Sequence, residues 1–405
     1  MKLPPGTVAI GFSNVGHLLT HMFMLLYPTA VLGIEREFNV PYGELLSLSL
    51  AGFVLFGLGA LPAGWLADRW SERGMMAANF IGMGGAAILT GFAPNLFWLS
   101  CGLGAIGLFA SIYHPVGIAI VVRHAKARGR ALGINGVFGG IGLASGALVA
   151  GTLTELISWR AAFIIPGAIA VLFGGLFLLV ARRVGLENTR EDAYPQQEVT
   201  GRVMASTFLT LTLATVFTGL MFQATSIALP KVFAERLSMF SDGTAIMGAG
   251  GVVTLVYLGA ACFQIIGGLL ADRYPLKWVY TCAYCVQVPL LVVAATLADL
   301  PLVFVVMLMV LFQNGAGPAE TALFARYSPA RWRATAFGIK FVIALGVSAL
   351  AVPLVAFIFD RTGGFYWLFV VMAGLAALTT LIGARLPHEP RTPAHHVPVA
   401  QGAGG

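Results

Sequence analysis

Twelve long apolar stretches run through this chain, and they restrict the folds open to it. Each is long enough to cross a bilayer, whose hydrocarbon core of about 30 Å takes roughly 20 helical residues to span. Each is continuously apolar rather than alternating in polarity, which favours membrane helices over the strands of a barrel. The stretches lie at about 7–33, 44–67, 75–93, 96–122, 132–157, 161–184, 204–230, 246–271, 278–298, 301–325, 334–358 and 366–386.

The charged residues indicate how such a chain is oriented. Only 10% of the residues are charged, whereas a soluble domain has about 25%. If the N-terminus is cytoplasmic, eighteen of the 24 Lys and Arg residues lie in cytoplasmic segments and five in the opposite loops. This bias predicts an integral protein of the cytoplasmic (inner) membrane with both termini in the cytoplasm. The net charge of +7 then reflects topology and indicates no nucleic-acid-binding surface.

The second half of the chain repeats the first at an offset of about 203 residues. Gly64–Arg69 reads Gly-Trp-Leu-Ala-Asp-Arg, and Gly268–Arg273 reads Gly-Leu-Leu-Ala-Asp-Arg. Pro115 has its counterpart in Pro318. The repeat predicts two six-helix bundles at 1–184 and 204–386, a polar cytoplasmic linker at 185–203 and a disordered cytoplasmic tail at 387–405.

The repeated Asp-Arg phrase, placed after the second and eighth stretches of a 6+6 layout, resembles the major facilitator superfamily over essentially the whole chain. The resemblance implies an all-α membrane protein with twelve transmembrane helices in two six-helix bundles. Such bundles alternate access to a site between them. It also implies that loop contacts of Asp68, Arg69, Asp272 and Arg273 latch the two halves.

Two further motifs resemble particular branches of that superfamily. Gly16-His17 and His114-Pro115 are similar to the fosmidomycin-resistance branch, although His21 stands where that branch has an acidic residue. The series Gly139, Gly142 and Gly146 predicts a close helix crossing. It is similar to the glycine motif of drug/proton antiporters, but without the proline of that motif.

Histidines within the apolar stretches are the first candidates for binding residues. His17 and His21 are four residues apart, so they share one helical face. His114 follows Tyr113 and precedes a proline that can open the helix. An unperturbed histidine has a pKa of about 6.5, which suits proton binding at physiological pH. Structural histidines bonded to neighbouring helices remain the alternative.

Glu320 and Lys340 lie at similar depth in the tenth and eleventh stretches. Neither charge is stable alone in lipid, so we predict an ion pair or a water-filled pocket holding both. A fixed structural salt bridge is the alternative to a proton-exchanging or anion-binding pair. Hydrogen bonds to a substrate are expected from the amides Asn135, Gln223, Gln264 and Asn314.

These patterns favour a proton-coupled secondary transporter that exports a small organic solute or drug by alternating access. Uptake of a small organic anion by proton symport or uniport is the alternative, and a transporter-like receptor is a third interpretation. The chain shows no nucleotide loop, nucleophile elbow or H-E-x-x-H helix, so no enzyme is expected. The expected partners are a small-molecule substrate, protons and the lipid bilayer. We expect a monomer without cofactor, metal or nucleic acid.

Overall fold

The computed structural model of the protein describes residues 4–125, 128–184, 202–240, 245–327, 340, 342–344, 346–347 and 349–387. Within these ranges the regular structure is helical throughout, and no strand occurs. Eleven helical segments of this part of the chain are long and apolar enough to span a membrane. The predicted all-α membrane fold is therefore confirmed.

Short breaks divide two of the predicted stretches in the first half. The second stretch forms α2, α3 and α4, and the fourth forms α6 and α7. The helices are α1 (Pro5–Phe38), α2 (Tyr42–Ser47), α3 (Leu50–Leu58), α4 (Ala60–Arg69), α5 (Glu72–Gly91), α6 (Leu96–Ala110), α7 (Tyr113–His124), α8 (Arg128–Leu156) and α9 (Trp159–Val184).

The second half follows a similar pattern. Its tenth predicted stretch is divided into α13 and α14. The helices are α10 (Arg202–Arg236), α11 (Ala245–Arg273), α12 (Leu276–Ala294), α13 (Asp299–Gly315), α14 (Gly317–Tyr327), α15 (Ala351–Thr362) and α16 (Tyr366–Arg385). A 3₁₀ turn at Ser238–Phe240 follows α10.

Some predicted segments lie outside the described residues. The stretch at 334–358 is described only in part, and its last residues belong to α15. Of the predicted linker at 185–203, only the last two residues are described, and they already belong to α10. Only the first residue of the predicted tail at 387–405 is described. The boundaries of the two halves therefore stay predictions.

Proline explains the matching breaks in the two halves. Proline has no N–H and its ring clashes with the carbonyl four residues earlier, so a helix tends to break just before it. Helix α7 begins two residues before Pro115, and α14 begins one residue before Pro318. His114 and Glu320 consequently lie in the first turn after each break. The repeat thus places a polar side chain at the same kind of helix start in each half.

Glycines let α8 lie directly against α1. A Cβ at Gly142 would clash with the backbone carbonyl of Leu18, and a Cβ at Gly146 would lie 3.0 Å from the carbonyl of Met22. The predicted close crossing at these glycines is confirmed. Gly139 belongs to the same face, where a Cβ would lie 2.6 Å from the ring of His17.

The same helix α8 also packs against α11 of the other half. Thr254 donates a hydrogen bond of 2.6 Å to the carbonyl of Ala144 across this crossing. A Cβ at Gly151 would lie 2.8 Å from the carbonyl of Ile246. Helix α8 therefore contacts the second half along the turns that contain Ala144 and Gly151.

The halves are tied together at the end that carries the α1–α2 loop. Lys231 Nζ lies 2.6 Å from Glu35 Oε2, and the Ile246 N–H donates to Glu155 Oε2 at 3.3 Å. Helix α2 packs on α15, where the Gly43 N–H donates to Asp360 Oδ1 at 3.2 Å. These contacts close that end of the molecule.

Toward the opposite end, glycines of the same two helices meet no neighbouring atom of the described residues. A Cβ added at Gly133, Gly136 or Gly268 would meet no described atom within 4 Å. Ile134 of α8 is 44% exposed and Ile265 of α11 is 60% exposed. The described part of α8 and α11 therefore shows no close contact at these glycines, near the end where the Asp-Arg phrases lie.

Candidate functional site

A cavity of about 310 Å³ lies between the halves, near the middle of the long helices. It receives side chains from α1, α3, α7, α8 and α10 to α14, and from residues 340 and 344. Seven of the ten residues predicted to bind substrate or protons line it, namely His21, His114, Gln223, Gln264, Asn314, Glu320 and Lys340.

The acidic and basic residues of the cavity form an ion pair. Glu320 Oε1 lies 3.0 Å from Lys340 Nζ, and the two side chains are only 13% and 10% exposed. Glu320 stands in the first turn of α14, where the partial positive charge of a helix N-terminus favours a carboxylate. The predicted ion pair is therefore present, and it faces a cavity rather than lipid.

Neighbouring side chains support each partner of this pair. The hydroxyl of Thr218 donates to Glu320 Oε2 at 3.5 Å. Lys340 Nζ donates to Thr321 Oγ1 at 3.4 Å and lies 5.0 Å from the centre of the Phe324 ring. The cation thus keeps a π-face and a hydroxyl in addition to the carboxylate, which lowers the cost of loosening the pair.

Apolar and amide side chains complete the cavity wall. The aromatic rings of Phe53, Phe56 and Phe222 lie on it, and so does Tyr284, close to Glu320. Asn314 donates from Nδ2 to the carbonyl of Val310 at 3.0 Å, so its amide oxygen is left for other donors. Such a wall combines apolar surface with a few fixed polar groups, as ligand pockets do.

The three predicted histidines lie together on the opposite wall. His17 Nδ1 donates to the carbonyl of Asn135 at 2.8 Å, which leaves Nε2 as an acceptor. His21 Nε2 lies 3.1 Å from that nitrogen. The ring centre of His114 is 5.5 Å from the ring centres of both His17 and His21. The helix spacing of the first two and the break before the third bring these rings together.

A polar network lies behind His17, away from the cavity. The Tyr113 ring stacks on His17 at 4.7 Å. Asn135 donates from Nδ2 to Asn14 Oδ1 at 2.9 Å and to the Tyr113 hydroxyl at 2.7 Å. Tyr113, Asn135 and His17 are therefore absent from the lining of the cavity, and the first two hold the ring of His17 in place.

Sequence reasoning overlooked some of the cavity. Thr218, Tyr284, Phe53, Phe56 and Phe222 line it, and none was singled out. Hydroxyls and phenylalanines are common on membrane helices, so nothing in the sequence separates these from packing residues. Thr218 directly precedes Gly219, the repeat counterpart of His17, and that position was the one available signal.

The predicted latch residues lie at the open end. Arg69 stacks its guanidinium over the Trp65 ring at 4.2 Å, whereas the side chain of Asp68 lies outside the described residues. Asp272 and Arg273 are exposed at the end of α11. The latch stays a prediction.

An ion pair within the first half lies near this end of the molecule. Arg123 of α7 donates to Glu72 Oε2 at 2.5 Å. Glu72 lies in the first turn of α5, directly after the capping residue Ser71. This contact joins α7 to α5 within the first half.

Comparison with known proteins gives relatives along most of the chain. A 4-hydroxybenzoate transporter of Pseudomonas aeruginosa is 26% identical over 413 aligned positions, which cover 88% of this chain and 86% of the relative. A D-galactonate transporter of Escherichia coli is 23% identical and covers 87% of each chain.

Other matches are shorter. A puromycin resistance protein of Streptomyces alboniger is 32% identical over 144 residues, which are 34% of this chain and 27% of that protein. The chain therefore spans about a quarter of the length of that relative.

The fold is shared with solved structures. The inward-facing, occupied structure of a bacterial homolog of the human lysosomal transporter Spinster superposes with a TM-score of 0.78, covering 96% of this chain and 98% of that one at 16% identity. The family model of the Major Facilitator Superfamily matches residues 14–253 and 211–403. Together the two ranges take in nearly the whole sequence, so the chain belongs to the Major Facilitator Superfamily of membrane transporters.

Proposed function

We propose that the protein is a proton-coupled secondary transporter of a small organic anion, and that the Glu320–Lys340 pair couples the proton to the substrate. The observation that carries this proposal is the position of the pair, which forms part of the wall of the cavity between the halves. A purely structural salt bridge would not need to face an open volume.

The size and chemistry of the cavity suit a small carboxylate with an apolar body. A volume of about 310 Å³ is at the lower end of the roughly 300–1,000 Å³ of small-molecule pockets. The ammonium of Lys340 can bind a carboxylate, and Phe53, Phe56 and Phe222 offer apolar surface to a ring or chain. The relatives that align along most of this chain are named for 4-hydroxybenzoate and D-galactonate, which are organic acids.

Coupling follows from competition for one cation. A proton that binds Glu320 neutralises the carboxylate and removes most of its attraction for Lys340. Lys340 is then left to pair with the carboxylate of the substrate, while Glu320 carries the proton. When the substrate leaves, the exposed charge of Lys340 draws Glu320 back to the ionised form and the proton is released.

The conformation fits one state of an alternating-access cycle. Contacts between the halves close the end that carries Glu35, Lys231 and Asp360, whereas glycines of α8 and α11 meet no described atom near the end that carries the Asp-Arg phrases. With the termini in the cytoplasm, as the positive charges predict, this state faces inward. The resemblance to an inward-facing solved structure supports that assignment.

Export remains the second candidate function, because the sequence patterns favoured it. A puromycin resistance protein and a cephamycin export protein of Amycolatopsis lactamdurans match part of the chain, the latter at 28% identity over 221 residues. Export and uptake use the same cavity and the same pair, and they differ in the direction of the proton-driven flux.

The test is proton movement in proteoliposomes that hold the full chain and an internal pH dye. Aromatic and sugar carboxylates are added outside, with uncharged analogues as controls. We expect carboxylates to acidify the interior with the wild type and with Glu37→Gln, whose carboxylate bonds Arg160 and Trp159 far from the cavity. Glu320→Gln should abolish this flux.

Two results would contradict the proposal. Proton flux that persists in Glu320→Gln would show that the pair does not couple transport. Carboxylates that bind but never cross the membrane would favour a receptor. An imposed proton gradient that drives substrate out of the vesicle against the proton flow would establish export.

A further inference from the structure

We propose that His17, His21 and His114 form a binding site for one late first-row divalent cation, for which Zn²⁺ is the probe. The site lies at the edge of the cavity in the first half and shares no residue with the Glu320–Lys340 pair. The inference does not depend on the proposed transport function, because metal binding is measured without any transported substrate.

The three rings have the separation that a metal site requires. One nitrogen from each imidazole lies within 4.8 Å of the others. His17 Nε2 and His21 Nε2 are 3.1 Å apart. Two nitrogens bound to Zn²⁺ at about 2.0–2.1 Å in tetrahedral geometry are roughly 3.3 Å apart. The first two ligands are therefore already in place. The nitrogen of His114 has to come closer by roughly 1.5 Å, which rotation of its side chain can provide.

The orientation of His17 is the second, independent observation. Metal-binding histidines usually donate their other ring N–H to a carbonyl or carboxylate, which fixes the tautomer. His17 Nδ1 donates to the backbone carbonyl of Asn135 at 2.8 Å, so Nε2 keeps its lone pair and lies 3.1 Å from His21 Nε2. The stacked Tyr113 ring and Gly139 confine His17 further.

Binding requires only a shift of tautomer in the neutral rings. In the metal-free arrangement, His21 Nε2–H donates to His17 Nε2. When that proton moves to His21 Nδ1, both Nε2 atoms offer lone pairs to a cation. No proton has to leave the protein.

The ligand set selects the metal. Imidazole nitrogens suit Zn²⁺, Cu²⁺, Ni²⁺ and Co²⁺, whereas Mg²⁺ and Ca²⁺ take oxygen ligands. Three histidines leave a fourth position of Zn²⁺ open, as in catalytic zinc sites. Because His21 and His114 line the cavity, that open position faces the space where an anion can enter.

The sequence alone did not predict this site. His17 and His21 have a ligand spacing on one helix, but His114 is almost a hundred residues away. The sequence analysis accordingly expected no metal. Packing of α7 on α1 supplies the third ring.

The test is titration of purified full-length protein with Zn²⁺ by isothermal calorimetry. His388, His395 and His396 are replaced by Ala in every sample, and the affinity tag is removed, so that the tail adds no ligands. We expect one Zn²⁺ per chain, no binding of Mg²⁺, and at least a tenfold loss of affinity in each of His17→Gln, His21→Gln and His114→Gln. His124→Gln is the matched control and should bind like the parent.

Glutamine is chosen because its amide can still donate to a carbonyl such as that of Asn135. Zinc-edge X-ray absorption of the unsubstituted cluster is a second measurement, which does not depend on variants that fold poorly. Three imidazole nitrogens around the ion are expected. A spectrum with one imidazole or none, an absence of Zn²⁺ binding, or an affinity of all three variants equal to that of the parent would overturn the proposal.

Discussion

At the scale of single residues, the cavity is shaped by a few charges whose partners are close. Glu320 and Lys340 are mostly buried and separated by 3.0 Å. Removing one member of a buried pair leaves an uncompensated charge, which is more costly than replacing both members together. Replacing one member of the pair should therefore lower the free energy of unfolding, an effect that is separate from its role in transport.

We predict that Lys340→Met lowers the stability of the protein by about 3–5 kcal/mol, because it leaves the Glu320 carboxylate buried and unpaired. The double variant Glu320→Gln/Lys340→Met should recover most of this loss. Thermal unfolding in detergent at neutral pH measures both. Additive losses in the double variant would show that the two side chains do not interact.

At the scale of helices, the glycine face of α8 decides how close the first half can pack. A methyl group at Gly142 would clash with the Leu18 carbonyl of α1, a backbone atom that cannot rotate away. Helix α1 carries His17 and His21, so a displaced α1 would also disturb the histidine cluster and its bond to Asn135.

We predict that Gly142→Ala destabilises the protein by about 1–3 kcal/mol, the usual cost of overpacking. Gly133→Ala on the same helix is the control, because its Cβ would meet no described atom within 4 Å. That control should be neutral or stabilising by up to about 1 kcal/mol, since alanine is the better helix former. Equal melting temperatures for the two variants would contradict the close crossing.

At the scale of the whole molecule, the contacts between the halves at the closed end determine which conformation is populated. They include the Glu35–Lys231 ion pair and the bond from the Gly43 N–H to Asp360. A side chain at Gly43 would occupy the position of the Asp360 carboxylate. Each tie is individually weak, so small changes should shift the balance of conformations.

We predict that Lys231→Gln and Gly43→Ala both open this end. Spin labels at positions 44 and 361, which are exposed on α2 and α15, report the separation of the halves in a cysteine-free background. The distance distribution should gain a longer component in both variants. Glu37→Gln is the control, because its partners Trp159 and Arg160 belong to the same half. Unchanged distances in all three variants would show that these contacts do not hold the closed end.

Much of the architecture was readable in the sequence. The length and polarity of the apolar stretches predicted the helices, since lipid leaves the backbone few other ways to satisfy its hydrogen bonds. The proline after His114 predicted an opening of the helix at that point, whereas no break was predicted before Pro318 or within the second stretch. Intramembrane charge alone was enough to predict that Glu320 and Lys340 would meet, because neither is stable without a partner.

The finer arrangement of the site was not readable. The periodicity of polar residues along a helix indicates that a residue faces other helices, but it does not indicate which helix. Asn135 was expected beside the substrate, and it lies behind the histidines. Phe222 and Tyr284 carry no sequence signal that separates a cavity wall from a packed interface.

The sequence by itself determined the membrane environment and the repeated apolar helices, because both follow from local polarity and from the need of the backbone to satisfy its hydrogen bonds in lipid. Only the tertiary structure decided which polar side chains face the shared cavity, that three histidines converge, and which end of the molecule is closed. Those features depend on crossings between helices distant in sequence, where one glycine such as Gly142 or one ion pair such as Glu35–Lys231 sets the contact.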